Sequence, residues 1–235
     1  MYCYAPSLIH DERQWGTFVD VKTNAPIVID KELIPAEKQV VFLSSASDPY
    51  QPVEARYRLT RQVLEVLAKH EFPVLILTRS SLVLRDTDLI KRLPWVRVGF
   101  SISTVPNSPY EPGVPPLKTR IRALRRLSDE GITTWVSMAP IIPQLILTDM
   151  KRLFSQLEEA RVSTVLIGLL RFTGYRESKE MFERFSGRAF SEMIRGSNEV
   201  LKQIIDIAQQ HGIDTSGSSL SFEEEITPTL DKFIK

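Results

Sequence analysis

Val40-Val41-Phe42-Leu43-Ser44-Ser45-Ala46-Ser47-Asp48-Pro49-Tyr50-Gln51-Pro52-Val53-Glu54 begins as a short apolar run and ends in hydroxyls, carboxylates and two prolines. Behind it, Leu59, Val63 and Leu67 recur at helical spacing. A β-branched apolar run, a polar turn and then a 3.6-residue period make one βα unit of a parallel sheet. The pattern repeats. The runs Val74 to Thr78, Val96 to Ile102, Thr133 to Met138 and Val165 to Leu169 each lead into a polar or proline-containing turn. With Val40 to Ser45 they predict five buried strands. Between and after them the spacing predicts further helices: one on Leu117, Ile121, Leu124 and Leu127, stopped by Gly131; one on Met150, Leu153 and Leu157; and a last on Leu201, Ile204, Ile205 and Ala208 before Gly212.

Five parallel strands covered by helices fit either an open doubly wound sheet or part of a β/α barrel, and periodicity leaves both open. Either architecture binds its ligand at the carboxyl ends of the strands. The residues there are Ser45, Ser47 and Asp48; Thr78, Arg79 and Ser80; Ser101, Ser103 and Thr104; Met138 and Pro140; and Arg171. Small hydroxyls and a few charges converging from several strands suit a polar small molecule. At the first strand end two readings stand: a binding turn, or Ser47 and Asp48 capping the next helix. Arg79 similarly offers its guanidinium to an anionic group or leaves it solvated.

Composition narrows the function classes. The 235 residues are 43% hydrophobic and 25% charged, ordinary for a globular chain with a real core. Thirty basic residues against 29 acidic give a net charge of +1, so no global field draws nucleic acid or an anionic membrane. Lys118, Arg120, Arg122, Arg125 and Arg126 crowd one helix, but they spread round its polar arc and read as a solvated face. No apolar run approaches the roughly 20 residues that span a bilayer, and no signal-peptide pattern opens the chain, so a cytoplasmic protein is expected. A single cysteine, Cys3, excludes an internal disulfide and any multi-cysteine metal site made by this chain alone. His10, His70 and His211 show no ligand spacing, and His10 beside Asp11 and Glu12 reads as an exposed turn.

Taken alone, Cys3 reads as a small buried hydrophobe. Its setting, Tyr2-Cys3-Tyr4-Ala5, resembles the end of the C-x-x-x-C-x-x-C-Y-A loop of radical S-adenosylmethionine (SAM) proteins of the spore photoproduct lyase-like branch. Further segments agree in order. Val21-Lys22-Thr23-Asn24-Ala25-Pro26 resembles V-K-x-N-A-P, and Ser47-Asp48-Pro49-Tyr50-Gln51-Pro52-Val53-Glu54 resembles T-D-P-Y-Q-P-x-E, followed by Leu59-Thr60-Arg61 and Leu64-Glu65. Thr78-Arg79-Ser80-Ser81-Leu82-Val83-Leu84-Arg85-Asp86 is similar to T-K-S-x-L-V-L-R-D. Glu111-Pro112-Gly113-Val114-Pro115 with Arg120 resembles E-P-x-A-P followed by Arg, and Ala139-Pro140-Ile141-Ile142-Pro143 a late strand end.

The resemblance implies an α/β fold, a parallel β/α partial (TIM-like) barrel, here without the first strand that precedes the cluster loop. It implies one domain over residues 1–235: the end of the cluster loop and following segment in 1–38, core βα units in 39–170, and a C-terminal loop and helix in 171–235. Within the last part, the polar stretch Phe172 to Arg188 is expected to be a substrate-side insertion.

The implied cofactors are a [4Fe–4S] cluster, with Cys3 as a metal ligand, and SAM, with Ser45, Ser47, Asp48, Arg79, Ser101 and Ser103 as its contacts. Arg79 stands where the family has lysine, which keeps charge but not shape. The implied reaction is reductive cleavage of SAM to a 5′-deoxyadenosyl radical that abstracts hydrogen from a substrate, DNA among the candidates, with a ferredoxin or flavodoxin as electron donor. No catalytic residue is identified. By the family spacing the two other cluster cysteines precede Met1, so an upstream Cys-x-x-x-Cys is expected; otherwise the chain is a cluster-free barrel that binds SAM or another small molecule. The absence of a second cysteine removes a thiyl relay and with it the expectation of spore photoproduct repair.

Overall fold

The computed structural model describes residues 5, 12–14, 16–44, 46–102, 111, 113–143, 149–170, 176–216 and 218. Five parallel strands, β1 (Val41–Leu43), β2 (Val74–Thr78), β3 (Val96–Ser101), β4 (Thr134–Ile141) and β5 (Thr164–Leu169), pair in the order β1-β2-β3-β4-β5. All five predicted strands are present. A doubly wound sheet must reverse its strand order at a switch point, whereas a barrel adds each strand beside the last. The sequential order resolves the choice in favour of the barrel type.

Helices cover one face of the sheet: α1 (Ala25–Glu32), α3 (Leu59–Lys69), α4 (Thr87–Ile90), α5 (Leu117–Asp129), α6 (Met150–Glu159) and α9 (Ser197–Gln210), while α7 (Arg176–Ser186) and α8 (Phe190–Met193) pack elsewhere and the single turn α2 (Glu54–Tyr57) follows β1. Residues alternate across a strand, so Val74, Ile76, Val98, Phe100, Val136, Met138, Val165 and Ile167 all point outward. There they meet Val63, Leu64 and Leu67 of α3, Leu124 and Leu127 of α5, Leu153 and Leu157 of α6, and Leu201 and Ile204 of α9 in one buried core. Each such side chain contributes about 1.5–3 kcal/mol by leaving water. The predicted stop at Gly131 is also found, with φ +80 just beyond α5.

The other face carries a separate cluster of Leu75 and Trp135, flanked by Val40, Phe42, Leu77, Trp95 and Leu166. Here Gly99 of β3 lies beside Trp135 of β4 in register, and a methyl group on Gly99 would overlap the indole. The indole therefore occupies the space that a side chain on β3 would fill. We expect Gly99→Ala to lower stability by about 1–3 kcal/mol, as overpacking does. Urea unfolding measures this, and a loss below 0.5 kcal/mol would show that Trp135 readily moves aside.

Candidate cofactor site

Two of the segments that carry the family resemblance, 47–54 and 78–86, fold together with Arg61 into a clamp. In the turn after β1, Asp48 Oδ1 accepts from the Tyr50 backbone N–H at 2.8 Å and from Thr78 Oγ1 at 2.6 Å, and its Oδ2 accepts from the Arg79 N–H at 2.8 Å. One carboxylate thus fixes the ends of β1 and β2 together. Asp48 does not cap α2, whose N-cap is Val53 without a side-chain bond.

Deeper in, the 3₁₀ turn Ser81–Asp86 brings Arg85 against two acids. Arg85 Nε and Nη2 donate to the two oxygens of Asp86 at 2.9 and 2.8 Å, and Nη2 also reaches Glu54 Oε1 at 2.7 Å. Arg61 donates from Nη1 to Asp86 Oδ1 at 3.1 Å and makes a bidentate pair with Asp88 at 2.9 and 2.8 Å. Glu54 Oε2 accepts the Thr60 N–H at 3.0 Å, and the Thr60 hydroxyl donates to the Pro49 carbonyl. Arg61 holds the Asp88 carboxyl down at about 2. Burial, reinforced by the Asp86 carboxylate, keeps the neighbouring Tyr50 phenol protonated well above the usual tyrosine range. Most of the distinctive motif residues therefore hold the turns in place.

What remains at the strand ends can face a ligand. Arg79 Nε donates to Glu111 Oε1 at 3.2 Å, so its charge is balanced. Ser101 is buried at the end of β3, and its carbonyl accepts from Arg120 Nη1. That bond corrects one expectation: Arg120 is buried and ties α5 to β3, while Lys118, Arg122, Arg125 and Arg126 are exposed. Ser47 is exposed in the first turn. Ser45, Ser103 and Cys3, together with Thr104 and Arg171, lie outside the described residues.

The sequence reading missed Ser137, buried in mid-strand on β4 and directly paired with Ser101. Its signal was a lone hydroxyl in an apolar run. Beyond β4 and β5, Ile142 and Leu170 pack with Phe182 of α7 and Met193 of α8. These helices therefore flank the carboxyl ends of the two strands. The polar stretch Phe172 to Arg188 is largely helix, from Arg176 onward.

The donor set separates the two implied cofactors. A cubane cluster needs a thiolate for each protein-bound iron. The chain has one cysteine, and among the described residues no group of three or more His, Cys, Asp or Glu converges. These residues do not by themselves fit a [4Fe–4S] cluster. Buried hydroxyls beside a neutralised arginine do suit the polar, uncharged nucleoside part of SAM.

No family model matches the chain. It is 38% identical over 150 residues to an uncharacterized protein of Methanocaldococcus jannaschii, covering 62% of this chain and 56% of that protein. It is 26% identical over 207 residues to the radical SAM Nalpha-GlyT isomerase of Pseudomonas phage M6, covering 86% of this chain and 43% of the isomerase. The chain thus spans about half the length of these relatives. Among solved structures, spore photoproduct lyase with bound AdoMet and dinucleoside spore photoproduct superposes with a TM-score of 0.64 at 16% identity, over 93% of this chain and 72% of that one. At that identity the likeness concerns the fold, and it agrees with the sequential parallel sheet. In its motifs and its phage relative the chain is similar to radical SAM proteins, and it shares the partial-barrel fold of spore photoproduct lyase.

Proposed function

We propose that this chain is the SAM-holding part of a radical SAM enzyme of the lyase-like branch. SAM sits at the carboxyl ends of β1 to β4, against Ser45, Ser47, Arg79, Ser101 and Ser103, with Asp48 shaping the turn. The observation that carries the reading is the buried Ser101 hydroxyl level with the balanced Arg79–Glu111 pair, on strand ends held rigid by the Asp48 and Asp86 clamps. A [4Fe–4S] cluster, held by Cys3 with thiolates that this chain does not contain, would supply the electron that cleaves SAM to the 5′-deoxyadenosyl radical. That radical would take hydrogen from the substrate. A ferredoxin or flavodoxin is the proposed electron donor, and the proposed setting is the cytoplasm. Among the described residues no helix is long and apolar enough to cross a membrane.

The protein's own contribution is placement. The clamps fix the strand ends, and the Arg79 guanidinium orients the acidic end of the cofactor while Glu111 keeps the site near neutral. The single cysteine favours a second reading, a cluster-free module that binds SAM without cleaving it.

Calorimetry separates SAM binding from cleavage. The 235-residue chain should bind SAM, and Arg79→Ala should weaken binding about tenfold or more, the worth of a charge-assisted hydrogen bond. An absence of heat from the unsubstituted chain would overturn both readings of the site.

A further inference from the structure

The two edges of the sheet differ. Beyond β5, Thr164 bridges Asp214 and the Ile167 N–H donates to Ser218 Oγ at 3.0 Å, so that edge is covered. At the other end, among the described residues, β1 pairs with β2 alone. Val41 donates its N–H to the Pro73 carbonyl at 2.9 Å, so by alternation the Phe42 N–H points to the free edge. Edges left to solvent are ordinarily blunted by lysine or proline. Val40-Val41-Phe42-Leu43 carries neither.

The helix layer ends on the same side. Helix α1 packs against α3, the helix that leads from β1 to β2, and sends Ile29 and Leu33 to the core. Asp30 pins it there, accepting from Lys69 Nζ at 2.8 Å and bonding His70 Nε2 at 2.7 Å. Yet none of its eight residues is fully buried, and a helix of that length is marginal on its own. Ile27 and Val28 in its first turn and Ile34 just beyond its end are 64%, 39% and 74% exposed. Helical spacing puts Ile27 and Lys31 on the side away from Ile29 and Leu33. Lys31 and Glu32 are exposed, and among the described residues neither has an ion-pair partner.

We propose that two copies of this chain associate through this side, about a two-fold axis perpendicular to the sheet. One operation covers everything left open. It sets the two β1 strands antiparallel, so that each Phe42 N–H gains an acceptor, and it lays the two α1 helices side by side in opposite directions. Ile27 of one copy then packs near Ile34 of the other, and each Lys31 comes within reach of the other copy's Glu32. The patch is therefore complementary to itself in charge as well as in apolar surface, which is what an isologous contact requires. A three-residue strand and one short helix make a small interface, at the weak end of specific association.

Analytical ultracentrifugation of the 235-residue chain tests the pairing and needs neither SAM nor a cluster. The chain should dimerise with a dissociation constant of about 10 μM. Ile27→Asp, at an exposed position, should weaken the dimer about a hundredfold by placing a carboxylate in each half of the apolar contact. Lys31→Glu should weaken it about tenfold through like-charge repulsion. The double variant Lys31→Glu/Glu32→Lys should restore it, and circular dichroism should show the same fold in all three. Hydrogen exchange at the Phe42 amide should slow as the chain is concentrated, and Ile27→Asp should abolish that slowing. A chain that stays monomeric at about 100 μM overturns the proposal and leaves the patch to a different protein. A dimer indifferent to Ile27→Asp overturns it as well.

Discussion

Asp86→Ala should lower the unfolding free energy by about 3–5 kcal/mol, the loss that follows when a buried charge is left without its partner. Asp86 is fully buried and takes three hydrogen bonds from two guanidiniums. Its removal strands Arg85, 22% exposed, beside Glu54, and leaves Arg61 with the outer acids Asp88 and Glu65. Asp88→Ala is the control. That carboxylate is 59% exposed, and an exposed pair is worth about 1 kcal/mol or less. Denaturant unfolding of the two variants decides the matter: equal losses would mean that the clamp is held by packing, and that its charges are incidental.

The second large effect is in metal content. After anaerobic reconstitution with iron and sulfide, the 235-residue chain should stay nearly colourless, because one thiolate cannot hold a cubane. A version carrying Cys-x-x-x-Cys, placed so that Cys3 becomes the third cysteine of the loop, should turn brown, bind about four irons per chain and, once reduced, release 5′-deoxyadenosine from SAM. Cys3→Ala in that longer version should remove both iron and cleavage. Iron analysis and product chromatography read the two effects separately. Retention of the cluster by the Cys3→Ala protein would make Cys3 an ordinary small residue and overturn its assignment as a ligand.

The five strands and the long helices α3, α5, α6 and α9 were legible because each satisfies a local rule of period and punctuation. Strand order was not, since Val74 or Val96 carries no mark of which neighbour it will pair with. The motif residues were visible but their work was hidden. Glu54 meets Arg85 across 31 positions and Arg61 meets Asp86 across 25, so the sequence shows the charges without the partners that neutralise them. Ser137 escaped because attention to the residues just past each run overlooks a hydroxyl in mid-strand. The inward aim of Ser137 follows only from the alternation Trp135, Val136, Ser137, Met138 once the outer face is known. Helices α7 and α8 were obscured by polar residues, since their apolar contribution reduces to a few side chains such as Phe182 and Met193.

Because every strand lies beside its predecessor, the sheet can be built in the direction of translation. When β2 leaves the ribosome its template β1 is already present, and the same holds for each later strand. No strand must wait for a distant segment before it can pair, so the closure entropy of each step is that of a single βα loop. In that growth β1 is in place before any of the four strands that follow it. A lesion near Val41–Leu43 should therefore slow folding more than an equally destabilising lesion in β5, which would chiefly hasten unfolding.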